Sequence, residues 1–130
     1  MRTNYKIAIA LIAGAAIGAA AVQGLHAQAT PPAYVVTEID VMNPDALAKE
    51  FAPLAVKALA EGGSGMRALA RVGKIVPIFG EAPKGRVAIN VFDSLDKAVA
   101  AYNSPDFKAA KAIGDKYATF RTYAIEGLPQ

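Results

Sequence analysis

Two stretches of strict alternation, each running into a marked helix start, constrain this chain more than any other feature. "AYVVTEIDV" (33–41) alternates with β-branched residues throughout, as a strand does. Val35, Thr37, Ile39 and Val41 share one face, and Tyr34, Val36, Glu38 and Asp40 share the other. Asn43 and Pro44 follow directly: an N-cap residue, then a proline where its missing N–H would be unpaired anyway. "RVAINVF" (86–92) alternates again, with Val87, Ile89 and Val91 opposite Ala88, Asn90 and Phe92. A helix from Ser94 through Ala98 and Tyr102 comes next. Ser104-Pro105 then repeats the Asn43-Pro44 device, so "NSP" starts a second helix rather than damaging the first.

The segments between these landmarks complete an order. Leu47, Phe51, Leu54 and Ala58 form the apolar stripe of a first helix, which Pro53 kinks and Gly62-Gly63 end. "GMRALARVGKIVPIFGE" (65–81) reads as one long extended segment, with Gly73 as a bulge or bend and Pro77 marking an edge. Phe107, Ala110, Gly114 and Tyr117 continue the last helix's stripe, Gly114 allowing close approach, and "FRTYAIEG" (120–127) closes as a strand. Strand, helix, strand, strand, helix, strand predicts an α+β ferredoxin-like βαββαβ fold, a four-stranded antiparallel sheet with its helices on one face. The other face, expected to carry Tyr34, Val36, Ala88 and Phe92, is too apolar to stay in water. A second copy packed there, closing a dimeric α/β barrel, is the expected solution.

The opening of the chain predicts export. Arg2 and Lys6 precede an apolar run from Ile7 to Val22, and Ala27-Gln28-Ala29 ends it. A basic start, an apolar centre and an Ala-x-Ala end make a signal peptide over 1–29, cleaved after Ala29. The run is shorter than the roughly 20 residues of a spanning helix. The mature domain is then 30–130, periplasmic or secreted, with no membrane association once the leader is removed. Of 14 basic and 11 acidic groups, two of the basic ones lie in this leader, so the mature part is near charge balance. Nucleic acid is not an expected partner, because its recognition needs a concentrated basic face. There is no cysteine, and the single histidine, His26, lies in the leader. Cys/His zinc sites, a histidine haem ligand, thiol nucleophiles and Ser-His-Asp triads are therefore excluded, and no metal or cofactor is expected.

The spacing "AYVVTEIDVMNPDAL…EGG…ALARVG…FGE…RVAINVFDSLDKAVAAYNSPDFKAA…EG", over residues 33–127, resembles the domain of unknown function 1330 family. Its most specific part places Phe92, Ser94, Ala98, Tyr102, Ser104, Pro105 and Phe107 in order. The resemblance implies the dimeric α/β-barrel superfamily, whose members include cofactor-independent monooxygenases, muconolactone-type isomerases, haem-degrading enzymes and ligand binders. The chain departs from the family pattern at three places. Val72 stands between Arg71 and Gly73 where Arg-Gly-Gly is common, Ala101 stands for an aromatic, and Gly114 for an arginine.

Six residues are candidates for chemistry. Glu38, on the uncovered face, is either a polar interface or ion-paired residue, or a catalytic base whose pKa is raised by apolar surroundings. Arg71 is its candidate partner, or a clamp for an anion. Asn90 is read as an interface hydrogen-bonding residue or as one that orients a carbonyl. Tyr34, Phe92 and Tyr102 are candidate binding residues, with packing as the alternative for each. Ser104 is a cap, since nothing could serve as its base. Three functions follow: an exported module binding a small molecule inside a homodimer, a cofactor-independent isomerase or monooxygenase using Glu38, or a structural envelope dimer without ligand. Whether the chain is an enzyme stays open at this stage.

Overall fold

Period-two alternation becomes pairing along most of its length. In the computed structural model, which describes residues 30–130, four strands are present: β1 (Ala33–Val41), β2 (Arg67–Arg71), β3 (Arg86–Phe92) and β4 (Ala118–Glu126). They form one antiparallel sheet in the order β2-β3-β1-β4. With the intervening helices this is the α+β ferredoxin-like fold. The leader expected over 1–29, with its cleavage after Ala29, lies outside the described residues. Among the described residues no helix is long and apolar enough to cross a membrane.

The first helical stretch shows what Pro53 does. It begins as α1 (Pro44–Ala46), widens into a π-helical turn (Leu47–Phe51) and resumes as α2 (Ala52–Ala60). Asn43 caps the start, its side-chain oxygen accepting from the Ala46 N–H at 3.2 Å. Proline has no N–H and its ring crowds the carbonyl four residues back. A turn that bonds five residues back, as the Ala52 N–H does to the Leu47 carbonyl, relieves both demands. The extra residue rotates the face that follows. Leu54, expected in the stripe, is exposed, and Ala55 and Leu59 join Ala58 in the core.

The later helices, α3 (Leu95–Tyr102) and α4 (Pro105–Gly114), begin as expected. The Ser94 hydroxyl accepts from the Lys97 N–H at 3.1 Å, and the Ser104 hydroxyl from the Phe107 N–H at 3.2 Å. Ser104 also donates to the Ala101 carbonyl at 2.8 Å, which ties the end of α3 to the start of α4. Ser104→Ala removes both bonds and should lower stability by roughly 1 kcal/mol, read as a fall in melting temperature. A cap role leaves any ligand affinity unchanged.

Gly114 has a specific reason to be glycine. A Cβ there would lie 2.6 Å from the Phe51 ring and 3.1 Å from that of Phe120. Those two rings stack with centroids 5.0 Å apart, so the departure from arginine at 114 goes with this aromatic pair.

Two expectations are corrected. The long extended segment over 65–81 is a strand only at Arg67–Arg71; its irregularity lies between Ala68 and Ala70, not at Gly73. Residues 72–85 form an exposed arm apart from half-buried Pro83, because Ile75–Phe79 have no strand beside them to bond. Val72 starts the arm with φ at 57°, a left-handed conformation that suits the glycine common at this position and strains a β-branched residue by roughly 1–2 kcal/mol.

The second correction concerns faces. Register sets Ala33 opposite Phe92 and Val35 opposite Asn90. Ala88, Asn90 and Phe92 therefore share a face with Ala33, Val35 and Thr37, not with Tyr34 and Val36. This is the face beneath the helices, where Ala33, Val35 and Phe92 pack with Ala55, Ala58, Leu59, Ala98, Ala101, Phe107 and Ala110. Phe92 is 1% exposed and belongs to the core.

Candidate functional site

The register divides the six candidates between two faces. Asn90, Phe92, Tyr102 and Arg71 belong to the helix side; Tyr34 and Glu38 belong to the other. On that other face Glu38 accepts from Arg121 at 2.9 Å, an ion pair between a mostly buried carboxylate and an exposed guanidinium. Arg121, directly across from Glu38 in the register, is thus its partner in place of Arg71. The Arg121 guanidinium also lies 5.6 Å from the Tyr123 ring centroid.

On the helix side a polar cluster sits in an otherwise apolar layer. The Asn90 side-chain N–H donates to the Tyr102 hydroxyl at 3.4 Å. Tyr102 in turn interacts with Thr37, whose hydroxyl accepts from Thr122 at 3.2 Å. Aromatic rings hold Tyr102 in place: Phe92 edge-on at 5.9 Å between centroids, and Phe107 at 4.7 Å. Asn90 is 8% exposed, and its Oδ1 is closed to solvent without a hydrogen-bond partner. A buried acceptor left unpaired costs about 1–3 kcal/mol, so native proteins rarely keep one without a use.

Exposure along β4 shows where the helices stop covering this face. Thr122 and Ala124 are on the helix side of the sheet yet exposed, and Thr37 and Ala88 are half-buried. The polar cluster therefore lies where helix cover gives way to exposed sheet. Thr37 and Thr122 belong to it and were not among the candidates. Thr37 carried a signal: it is a hydroxyl between Val35 and Ile39 on an apolar face.

Burial pushes the Tyr102 hydroxyl above its ordinary value of 10.0, against the opposing hydrogen bonds with Asn90 and Thr37. The folded protein thus holds this proton more tightly than the unfolded chain does. The associated stability is present below the unfolded pKa and lost as pH rises through the raised folded one. Tyr117, raised by a hydrogen bond with Glu50, acts in the same direction. Tyr102→Phe should make the alkaline loss of stability shallower without abolishing it. At neutral pH it should cost about 1–2 kcal/mol, because the Asn90 N–H loses its partner. Urea unfolding at pH 7 and above pH 10 measures both.

A groove of about 330 Å³ lies elsewhere, lined by Ala58, Glu61, Ser64, Lys97, Ala101 and Ser104 among others. Of its charged lining residues, Glu61 is paired with Lys57 and Lys97 with Asp93, while Asp106 is in no ion pair among the described residues. Among the described residues no group of three or more His, Cys, Asp or Glu converges to hold a metal ion.

Solved structures share the fold. One is SnoaB, a cofactor-independent oxygenase from Streptomyces nogalater, at 16% identity and a TM-score of 0.52, covering 78% of this chain and 97% of that one. Another is a candidate antibiotic biosynthesis monooxygenase from Caulobacter crescentus, at 15% identity and a TM-score of 0.51, covering 77% and 92%. A protein of unknown function from Rhodopseudomonas palustris aligns at 14% identity and a TM-score of 0.50, covering 77% and 85%. No curated protein matches the chain. The family profile of the domain of unknown function DUF1330 matches residues 32–128, nearly the whole described domain, and the chain belongs to that family.

Proposed function

We propose that this protein is an exported homodimer that binds a small molecule in a cleft between its sheet and its helices. The observation that carries the reading is Asn90: a buried amide with an unpaired acceptor, bonded to the hydroxyl of a tyrosine that packs against aromatic rings and lies beside Thr37. Ligand sites are largely apolar with a few convergent polar groups, and this arrangement has that composition. Export is supported by the leader's basic, apolar and Ala-x-Ala parts, and the homodimer by the uncovered sheet face. Native mass spectrometry of protein purified from its host tests the reading. The expected result is the mass of two chains beginning at Thr30 plus a retained small molecule. Chains that keep residues 1–29, or dimers that never carry added mass, would count against it.

A second reading is an enzyme of the cofactor-independent oxygenase type, favoured by the fold shared with SnoaB. Glu38 is its candidate base. The ion pair with Arg121 and the separation of Glu38 from the Asn90–Tyr102 face support the simpler role. Glu38→Gln should therefore change stability by less than about 1 kcal/mol, because Arg121 is exposed. Turnover of any substrate found should be unchanged. A fall of about 100-fold or more would restore Glu38 as a base.

A further inference from the structure

Two cations lie on the same side of the sheet as the unpaired amide. Arg71 is paired in register with Ala88, and Arg86 lies two residues before Ala88, so both are on its side of the sheet, Arg71 on the exposed strand β2 and Arg86 half-buried. Asn90 lies two residues beyond Ala88 on that face. Neither arginine has a carboxylate within ion-pairing distance among the described residues. The carboxylates of β1, Glu38 and Asp40, are on the opposite face. Along β3, then, the helix-side face carries Arg86, with Arg71 beside Ala88, then that small alanine, then a buried hydrogen-bond acceptor.

From this order, and resting on the cleft reading above, we infer that the ligand is a small aromatic acid bearing a hydroxyl group. Its carboxylate meets Arg71 and Arg86, and its hydroxyl donates to Asn90 Oδ1. Two arginines without partners favour an anion, and the planar guanidinium matches a carboxylate in particular. The lone acceptor requires a donor, which a hydroxyl supplies and an ether does not. Spacing sets the size: Asn90 lies one same-face step, about 6.7 Å, beyond Ala88, the residue opposite Arg71, roughly the distance across a para-substituted ring. Arg86, one step further back, reaches the carboxylate through its long side chain. Ala88 leaves room for that ring, and the half-buried Tyr102 supplies an aromatic surface beside it. Entry to Oδ1 requires Tyr102 to swing aside. The 3.4 Å contact that ties Tyr102 to Asn90 is long for a hydrogen bond, so the Phe92 and Phe107 rings are the main restraint on that movement.

The test uses three probes on ¹⁵N-labelled protein expressed from its full sequence: 4-hydroxybenzoate, 4-methoxybenzoate and 4-hydroxybenzamide. Amide shifts locate binding and titration gives Kd. 4-Hydroxybenzoate is expected to shift the Ala88 backbone and Asn90 side-chain amides. The methyl ether and the neutral amide should each bind about tenfold more weakly. The preference for acid over amide should vanish in the Arg71→Ala/Arg86→Ala variant, whose changes lie outside the core. Equal affinity for the hydroxyl and methoxy probes, with shifts still at Ala88 and Asn90, overturns the donor assignment and leaves the cleft reading intact. An acid preference that survives loss of both arginines overturns the anion assignment. Shifts confined to other surfaces, or none up to millimolar probe, overturn both the inference and the cleft reading.

Discussion

Phe92→Ala is expected to lower the unfolding free energy by about 3–5 kcal/mol, the upper range for truncating a buried aromatic. The reason lies in what surrounds it. Phe92 is 1% exposed, and most of its core neighbours are alanines: Ala33, Ala55, Ala58, Ala98, Ala101 and Ala110. Alanines bring backbones close together, but they have no side chain to swing into a cavity. The few large residues consequently hold most of the apolar area, and the space left by one of them stays open. The ring contact with Tyr102 at 5.9 Å would also be lost, loosening the group that bonds Asn90. Denaturant unfolding of the variant measures the cost. A loss below about 1.5 kcal/mol, the range of volume-conserving swaps, would mean that Phe92 does not anchor the helices to the sheet.

The error about Phe92's face shows where the sequence stops being informative. Alternation states which residues of one strand share a side, and both β1 and β3 divide correctly in that sense. It does not state how the two strands are phased. In β1 the face with Glu38 and Asp40 is clearly the more polar one. In β3 the sets Val87, Ile89, Val91 and Ala88, Asn90, Phe92 are almost equally apolar, so nothing local chooses between them. The choice is made by pairing Ala33 with Phe92 across a long stretch of chain, and a slip of one residue reverses every side chain. Helix starts were legible because a cap acts within three residues, as Asn43, Ser94 and Ser104 do. The stripe of the first helix failed only beyond Pro53, where the π-helical turn added a residue to the count. Of the site, Asn90, Tyr102 and Arg71 were legible as candidates. Their placement on one side of the sheet with Thr37 and Arg86 was not, since it depends on the same long-range register.

Ile89→Asp is expected to convert a dimer into a monomer while the fold survives. Ile89 lies at the centre of the uncovered face, opposite Val36, with Tyr123 completing the row on β4. Tyr123 and Ile125 on this face are 47% and 60% exposed, and on the arm Ile78 and Phe79 are 83% and 95% exposed. A solitary chain would gain nothing by presenting that much apolar surface to water. Four strands about 4.8 Å apart and about seven residues long make a face of roughly 450 Å², and a stable interface needs about 800 Å² from each partner. The face alone falls short, and in the proposed dimer the apolar arm at residues 72–85 would have to make up the difference. A two-fold contact uses the same patch on both chains, so a charge at its centre is buried twice, at several kcal/mol for each. In the separated chain the introduced carboxylate would keep its hydration, because Ile89 is only half-buried. Sedimentation should therefore report a single chain's mass, with melting still cooperative. A variant that sediments as a dimer would place the contact on another surface, and one that fails to fold would show that this face is already covered within the chain.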